Sequence, residues 1–497
     1  MKKWNSIAIV AAMAVVMTAC SSNSGTPAAN QGNTGSAQPE GSGQPVTLKI
    51  VYKDEGTANA ASVRFFGELE KALAKDEGLN VKFELVDLAQ GSYAENLNLL
   101  LLGGTIPDII YFQGGDQQMA EQGLLEDLTP YINKSKYVKD IMEPHNITRM
   151  TSYPYLLWIK PLAPKAPVVR EDWFEAMDSS KALTENPTVD NYYAFFKELV
   201  EKKPGSGKPA YALTAAGDIA EINTIFNSAF GLDKTWIKKD DGTFEYAKIS
   251  EGEKEKLAFY NKLYKEGLLD PQFITKQWDT KEDAFYKGEA GVITGTAGKI
   301  LDLYNGRMQD LGGAGAKLVV LPPAKGVGQG FGATDVTKES RGLAISSQSK
   351  NKDAAFQVFD YLASPKGQML DRLGYENEDY KIVDGKIELN ENYYNNWYAR
   401  FWEPVNFKSD IPLKTPLLGE PGEKSLKMAS EYYTEDNNFI IPEQFVANWD
   451  AMNNLYKEYS TDFITGKKDL SQFGQFVEAW NAAGGTEITK YANKTIK

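Results

Sequence analysis

The folded body begins with VTLKIVY (residues 46–52), in which apolar and polar side chains alternate as in a strand with one buried face. The next segment, SVRFFGELEKALA (62–74), repeats its apolar side chains at helical spacing, and VKFELVDL (81–88) alternates again. A second helical pattern over 93–102, a short buried strand over 106–111 and a helix near 117–122 follow. Strands that alternate with helices in this way are typical of a parallel sheet, so the sequence predicts an α/β fold.

The rest of the chain continues to mix helical and strand patterns. Its 497 residues exceed what one ordinary hydrophobic core can hold, so we expect two lobes. Helices are predicted over 189–201, 219–230, 251–266, 281–287, 353–363, 449–460 and 472–481, and buried strands over 290–294, 317–321 and 342–346. A glycine-rich loop, GVGQGFG, occupies 326–332.

The first 45 residues differ in composition from the remainder. Lys2 and Lys3 precede an apolar run (7–17) that is too short to span a bilayer, which predicts a signal peptide over 1–19. Cys20 is the only cysteine and follows two small residues, as in the bacterial lipobox, where the thiol carries diacylglycerol; an ordinary signal peptide with an incidental cysteine is the alternative. Residues 20–45 lack large aliphatic side chains and are predicted to form a flexible linker. We therefore expect a lipid-anchored protein on the extracytoplasmic face of the cell membrane.

Charge and composition exclude several classes of function. The net charge is −13 and no basic cluster offsets it, so nucleic acid is not an expected partner. His145 is the only histidine, which removes most zinc sites and histidine-dependent triads, and it is predicted to be a loop residue. Hydrolysis by paired carboxylates, oxygen-ligand metals and plain binding remain.

Five segments carry a resemblance to a known family, in the same order and with the same spacing. They are GGTIPDII (103–110), GLLEDLTPY (123–131), VVREDWF (168–174) with Pro187 and Thr188 after it, FYKGEAGVITG (285–295) and KDAAFQVFDYLASPKG (352–367). With them the chain resembles the extracellular solute-binding lipoproteins of ABC importers (family 1 type), in the group that takes up sugars and oligosaccharides. Most of these motifs have structural roles of their own, such as turns and helix caps.

The resemblance implies a two-lobed periplasmic-binding-protein fold (type II-like), each lobe a mainly parallel sheet flanked by helices. The N-terminal lobe would hold 46–155 with 342–390, and the C-terminal lobe 156–341 with 391–497. A monomer without a cofactor would capture a carbohydrate between the lobes and deliver it to the membrane subunits of an ABC permease, without making or breaking a bond. Larger relatives hold a calcium loop where this chain has EKKPGSGK (201–208), which lacks acidic ligands beyond Glu201, so no metal is expected.

Candidate ligand-binding residues follow from the inferred cleft. Ligands bind beyond the carboxyl ends of strands in open sheets, which points to the loops 53–59 and 112–117. Saccharides require aromatic faces and polar groups that bind hydroxyls. Side chains of both kinds near the cleft are Asp54, Glu55, Gln113, Asp116 and Gln117; Tyr155, Trp158 and Lys160 in the proline-rich stretch 153–167; Asp218 and Glu221; and Trp278, Thr294, Thr296, Phe331, Trp397 and Trp402. A core role for Trp158 and helix capping by Asp218 are the alternatives.

Two other functions stay open at this point. One is a surface glycan-binding sensor or adhesin that transports nothing. The other is a glycoside hydrolase in which Asp54 or Glu55 faces Asp218 or Glu221 across the cleft, because paired carboxylates suffice for that chemistry.

Overall fold

The computed structural model describes residues 45–396 and 399–496, and the strands of this part form two four-stranded sheets and two two-stranded sheets. The predicted signal peptide, Cys20, nearly all of the predicted linker and Trp397 lie outside the described residues. The strands are β1 (Val46–Val51), β2 (Val81–Leu85), β3 (Ile109–Phe112), β4 (Lys165–Arg170), β5 (Tyr211–Leu213), β6 (Trp236–Lys238), β7 (Phe244–Tyr246), β8 (Ala290–Thr296), β9 (Leu318–Val320), β10 (Gly342–Ile345), β11 (Tyr380–Val383) and β12 (Lys386–Leu389).

Helices cover both four-stranded sheets and account for most of the regular structure. They are α1 (Ala60–Asp76), α2 (Tyr93–Leu102), α3 (Asp116–Glu121), α4 (Thr129–Lys134), α5 (Val138–Ile141), α6 (Pro144–Ser152), α7 (Glu171–Glu175), α8 (Ser180–Glu185), α9 (Val189–Lys202), α10 (Ala220–Phe226), α11 (Glu251–Lys265), α12 (Trp278–Tyr286), α13 (Lys299–Gly312), α14 (Lys352–Ala363), α15 (Pro365–Gln368), α16 (Glu391–Asn395), α17 (Glu420–Glu431), α18 (Glu443–Thr465), α19 (Phe473–Trp480) and α20 (Thr486–Thr495). Among the described residues, none of these helices is long and apolar enough to cross a membrane.

The first sheet has the strand order β10-β3-β1-β2 and is the centre of the first lobe. Strand β1 runs parallel to β2 and to β3, while β10 runs antiparallel to β3. Successive side chains point to opposite faces, so Ile50 joins one hydrophobic cluster and Val51 joins another. Both faces of the sheet are therefore buried under helices.

The second sheet has the strand order β5-β8-β4-β9 and is the centre of the second lobe. Val169 packs into the largest hydrophobic cluster of the chain, and Val168 packs on the opposite face. The helices α18, α19 and α20 complete the larger cluster with Phe463, Trp480 and Ile488. The predicted α/β fold with two lobes is confirmed.

The direction of one strand departs from the prediction of mainly parallel sheets. Strand β4 is antiparallel to both of its neighbours, β8 and β9, and only β5 and β8 pair in parallel, so the second sheet is mixed. Strands β4 and β10 are each the first strand after the chain crosses from the other lobe. They start at the sheet edge where their neighbours end, which sets their opposite direction.

The segments that connect the lobes lie against each other as extended chains. Leu157 and Leu343 exchange two backbone hydrogen bonds of 2.9 Å, and the Glu403 amide donates to the Ile159 carbonyl oxygen at 2.7 Å. Phe401 and Trp402 pack into the first lobe's cluster, and this differs from the expectation that residues 391–497 belong to the second lobe.

His145 lies in a helix, and its prediction as a loop residue is wrong. It is the second residue of α6, whose start is fixed by Pro144 and by a capping box between Glu143 and Asn146. Proline is common in turns and also at the first position of a helix, so Pro144 alone does not distinguish the two.

Candidate binding site

A cavity of about 590 Å³ lies where the two sheets approach each other, and residues of both sheets and of the connecting segments line it. The first lobe contributes the residues after β1 and β3, and the second lobe contributes the end of β8 and the starts of α12 and α13. The connecting segments contribute Trp158, Lys160, Arg341 and Glu403.

Strand direction explains why these particular residues meet. Because β10 is antiparallel to β3, Gly342 pairs with Phe112, and the preceding Arg341 falls at the same edge as Gln113. Because β4 is antiparallel to β8, Lys165 pairs with Thr296 at the edge of the second sheet. The carboxyl ends of β3 and β8 and the amino ends of β10 and β4 thus lie together at the rim of the cavity.

Aromatic rings form a continuous wall on the first-lobe side. Tyr52 and Tyr111 stack with ring centroids 4.5 Å apart and an interplanar angle of 10°. Trp158 follows at 5.2 Å from Tyr111, and Trp402 meets Trp158 edge to face at 6.4 Å. The Trp158 indole nitrogen has no hydrogen-bond partner among the described residues. Tyr111 is buried, so the ring surface that faces the cavity belongs chiefly to Tyr52 and Trp158, in a site whose rim is polar.

Helix α6 holds the segment that carries Trp158. The Asn146 amide donates to the Trp158 carbonyl oxygen at 2.9 Å, and the His145 Nε2 lies 3.0 Å from the Lys160 carbonyl oxygen. A carbonyl oxygen only accepts, so Nε2 carries the proton and donates. Two side chains of one helix therefore fix the backbone on both sides of Ile159.

Trp278 faces the aromatic wall from the second lobe and is 40% exposed. The ammonium groups of Lys165 and Lys281 each lie 3.8 Å from its ring centroid. Lys281 is fully buried and forms an ion pair with Glu221 at 2.9 Å. Glu221 also forms an ion pair with Lys165, at 3.3 Å. The Trp278 ring is held by these cation–π contacts and keeps a large exposed surface.

The cavity is positively charged in an acidic chain. Its lining includes the cations Lys53, Lys160, Lys165, Lys299, Arg341 and Arg400, and the acids Asp54, Glu55 and Glu403. The chain as a whole carries a net charge of −13. The local excess of positive charge is thus a property of the cavity and not of the surface.

Burial lowers the pKa of Lys160, of Lys165 and of Lys299 to about 8 in each case. For Lys160, the charges of Arg341 and Arg149 act in the same direction as burial, and those of Glu339 and Glu403 oppose it. Burial also raises the pKa of Glu403. In all four side chains, burial disfavours the charged form because water solvates it only in part.

Several of these cations have partners within the protein. Lys299 donates to the carbonyl oxygens of Tyr393 at 2.8 Å and Tyr394 at 3.0 Å. Arg400 pairs with Glu55 at 3.0 Å. Lys160 and Arg341, in contrast, form no ion pair with any residue in the described part of the chain.

The cavity brings together many of the predicted ligand-binding residues, from both lobes and from the first connecting segment. Trp402 lies in the lining but is 1% exposed, and its indole N–H donates to the Phe359 carbonyl oxygen at 2.9 Å. Its role is therefore largely to support the wall. The predicted residues in the lining are Asp54, Glu55, Gln113, Trp158, Lys160, Trp278, Thr296 and Trp402.

Asp116 and Tyr155 lie away from the cavity. The Asp116 carboxylate is buried and accepts hydrogen bonds from the Tyr153 hydroxyl at 2.8 Å and from Lys338 at 2.6 Å. Tyr155 packs edge to face on Tyr153, with ring centroids 5.1 Å apart. The loop after β3 turns into α3, which carries Asp116 inward.

Asp218 and Phe331 also fail to reach the cavity. Asp218 accepts a hydrogen bond from the Ala220 amide at 2.8 Å at the start of α10, so the capping alternative describes it. Phe331 is 5% exposed and packs against Tyr432 in the core of the second lobe. Among the further candidates, Gln117 bonds to Glu121 and to the Ile441 carbonyl oxygen, and Thr294 is buried.

Five residues that line the cavity are not among the predicted ones: Tyr52, Tyr111, Lys165, Lys299 and Arg341. Tyr52 and Tyr111 end predicted strands, and their position beside the loops 53–59 and 112–117 is a signal that the sequence contains. Arg341 and Lys165 begin strands, and only the antiparallel direction of β10 and β4 brings them to the rim. That direction cannot be read from periodicity.

Within residues 45–396 and 399–496, no group of three or more His, Cys, Asp or Glu side chains is arranged to hold a metal ion. The polar groups that line the cavity are mainly donors.

A cleft between two α/β lobes, joined by extended segments, defines a binding protein that holds its ligand between lobes. The chain belongs to the family of bacterial extracellular solute-binding proteins, whose model matches residues 61–369.

Curated relatives and solved structures agree with this family. The chain is 22% identical to lipoprotein LipO of Bacillus subtilis over 85% of this chain and 88% of the relative. It is also 22% identical to the polygalacturonan/rhamnogalacturonan-binding protein YtcQ of Bacillus subtilis, over 100% of this chain and 99% of the relative. The crystal structure of alginate-binding protein AlgQ2 without calcium ion superposes with a TM-score of 0.67 at 17% identity, over 92% of this chain and 98% of that chain.

Proposed function

We propose that this protein is the substrate-binding component of an ABC importer and that its ligand is an oligosaccharide. The observation that carries the proposal is the aromatic wall of Tyr52, Tyr111 and Trp158, which faces Trp278 across a cavity with a polar rim. A sugar ring has apolar C–H faces and a belt of hydroxyl groups, so it requires this combination of surfaces. The names of YtcQ and AlgQ2, which are polysaccharide-binding proteins, support the same class of ligand.

Hinge closure would couple binding to delivery. A saccharide stacked on Trp158 gains contacts with Trp278 and Thr296 only when the lobes approach, and this difference in contacts favours the closed state. We propose that the first lobe moves with residues 399–403, because Phe401 and Trp402 pack in its core. The permease would then recognise the closed form.

We further propose that the protein alters no bond of its ligand. Of the acids considered for a hydrolase, Asp218 caps α10, and Glu221 is neutralised by Lys165 and Lys281. YtcQ and AlgQ2 are named as binding proteins, which supports the same reading.

Location and anchoring follow from the leader sequence. We propose that Cys20 carries the lipid, that the linker tethers a monomer, and that the binding body faces outward from the cell membrane. The name of the relative LipO, a lipoprotein, supports this. Replacing Cys20 with serine should shift the protein from the membrane fraction to the soluble fraction, as measured by fractionation and immunoblotting. Retention in the membrane would contradict the anchor.

A thermal-shift screen of the purified protein against a set of oligosaccharides tests the function. A ligand at 100 times its dissociation constant stabilises the folded state by about 2.7 kcal/mol, which gives a clear shift. Trp278→Ala should weaken the binding of any such ligand by calorimetry. The matched control is Tyr433→Ala, because Tyr433 is a similarly exposed aromatic residue (38% against 40%) outside the cavity. Failure of every oligosaccharide to bind would overturn the proposal.

A further inference from the structure

We infer that the ligand is acidic: an oligosaccharide containing hexuronate, whose carboxylate is bound by Lys160 and Arg341 beside the ring of Trp158. The inference rests on the proposed function and narrows its class of ligand. Its basis is the arrangement of three side chains at the junction of the lobes.

The two cations flank one aromatic ring. The Lys160 ammonium lies 5.9 Å from the centroid of the Trp158 ring, and the centre of the Arg341 guanidinium lies 5.7 Å from it. Both cations lie over the Trp158 ring, so a sugar that packs against the part of the ring that remains open lies close to both of them. A carboxylate on C5 of the sugar would be within reach of both.

The backbone holds the two cations side by side. Leu157 and Leu343 exchange backbone hydrogen bonds and so pair the two extended segments. Lys160 lies three residues after Leu157, and Arg341 lies two residues before Leu343. Helix α6 fixes the Lys160 carbonyl through His145. The site is therefore organised before a ligand arrives, which lowers the entropy cost of binding.

Neither cation has an acidic partner in the described part of the chain. The neighbouring Glu339 pairs with Arg149, and Lys338 pairs with Asp116. Lys160 is therefore a partly buried residue whose ammonium group makes no ion pair or side-chain hydrogen bond with the described residues. Burying a charge without a partner is costly, and an anionic ligand removes that cost.

Two acids act on this cluster, Glu339 and Glu403, and Glu339 is paired with Arg149. The Glu403 carboxylate lies in the field of Lys160, Lys299, Arg341 and Arg372. Counting Glu339 and Arg149 as well, two carboxylates stand among five cations, so an excess of positive charge remains even when both acids are ionised. A neutral sugar would leave that excess unchanged, whereas a carboxylate would reduce it and would accept charge-assisted hydrogen bonds.

Calorimetry with matched trisaccharides tests the inference. The probes are the homotrimers of galacturonate and of mannuronate, their methyl esters, and the neutral trimers of galactose and mannose. Esterification removes the charge and keeps the ring, so at least one acid should bind roughly 10- to 100-fold more tightly than its ester, the range expected for hydrogen bonds to a charged group.

Variants assign the effect to the two cations. Lys160→Met and Arg341→Gln should each weaken binding of the acid and leave binding of the ester nearly unchanged. Two variants are used so that misfolding of one does not end the test. A third variant, Lys160→Arg, keeps the positive charge and should retain the preference for the acid. The control is Lys381→Gln, which removes one positive charge from an exposed position on β11, outside the cavity. It should bind the acid as the parent protein does.

The outcomes separate this inference from the function on which it rests. Tighter binding of an acid, lost in Lys160→Met or Arg341→Gln, supports the inference. Equal binding of acid and ester, binding of neutral trimers alone, or an acid preference that survives both variants overturns it and leaves an oligosaccharide-binding protein. If the protein binds none of these probes and no other oligosaccharide in the thermal-shift screen, both the inference and the proposed function are overturned.

Discussion

His145 is the chain's only histidine, and its neutral imidazole supports the binding site from behind by donating to the Lys160 carbonyl oxygen. Burial lowers the pKa of His145 to about 4, and the charges of Arg149 and Lys160 act in the same direction, against the hydrogen bond to the carbonyl. The unfolded chain binds this proton with a pKa of about 6.5. The neutral ring therefore contributes stability that is complete above about pH 6.5 and is lost as the pH falls towards 4.

An NMR titration of this single imidazole measures the effect without assignment. We expect the ring to stay neutral at pH 5.5, with a midpoint near 4, as the structure places it. His145→Gln should flatten the dependence of the free energy of unfolding on pH between about 4 and 6.5. A midpoint near 6.5 in the folded protein would contradict the buried position.

Asp116 illustrates a buried carboxylate with a structural role. Its side chain holds Tyr153 and Lys338, and it is 1% exposed. Asp116→Ala should lower the free energy of unfolding by about 3 kcal/mol in urea denaturation, because Lys338 would lose its partner. Asp116→Leu combined with Lys338→Met should recover much of that loss. Equal losses in the two variants would show that the ion pair is not the cause.

Among single residues, the sequence predicts the cavity residues that directly follow strands, but not those that other contacts bring to the cavity or turn away from it. Asp54, Glu55 and Gln113 follow strands, and the rule for carboxyl ends places such residues correctly at the cavity. Asp116 obeys the same rule in sequence but begins α3, where helix geometry turns it inward. Lys160 and Arg341 are ordinary charged residues in the sequence, and only the pairing of distant segments gives them a common site.

Among the elements, the glycine-rich loop 326–332 shows how close packing selects glycine. The Val327 and Gly328 amides donate to the carbonyl oxygens of Ala229 and Ser228, both at 2.9 Å. A Cβ on Gly326 would overlap the Ala229 carbonyl oxygen, which belongs to the backbone and cannot rotate away. The loop thus fits the turn after α10 only without a side chain there.

Gly326→Ala should therefore destabilise the protein by about 1–3 kcal/mol, the usual range for overpacking. Gly67→Ala is the matched control, because Gly67 lies inside α1 with no atom near its missing Cβ, and alanine is favoured there by up to about 1 kcal/mol. Urea denaturation of both variants gives the comparison. Similar stability of the two variants would contradict the packing argument.

Long periodic elements were the predictable ones. Helices α2, α9 and α11 match their predicted ranges within about one residue, because several turns repeat the same apolar face. Strands β5, β6 and β7 have three residues each, too few for a pattern. Helix α13 contains Asn305 and Gly306, a pair that favours a turn, and forms because Leu301, Tyr304 and Met308 pack in the second lobe's core.

For the whole molecule, the two lobes and their α/β class were predictable, since chain length and the order of motifs both indicate them. The directions of β4 and β10 were not, because they depend on where the chain enters each lobe. The packing of Phe401 and Trp402 in the first lobe was also not evident, because it joins residues that are hundreds of positions from β1. Long-range pairing of this kind leaves no local trace in a sequence.

The central claim is that the two lobes close on a saccharide that the protein does not alter. Small-angle X-ray scattering of the purified protein, with and without an acidic trisaccharide recovered afterwards for mass spectrometry, tests it most directly. We expect a smaller radius of gyration with ligand, a smaller change in Trp278→Ala at the same ligand concentration, and a trisaccharide of unchanged mass. An unchanged radius of gyration at saturating ligand, or a shortened saccharide, would contradict it.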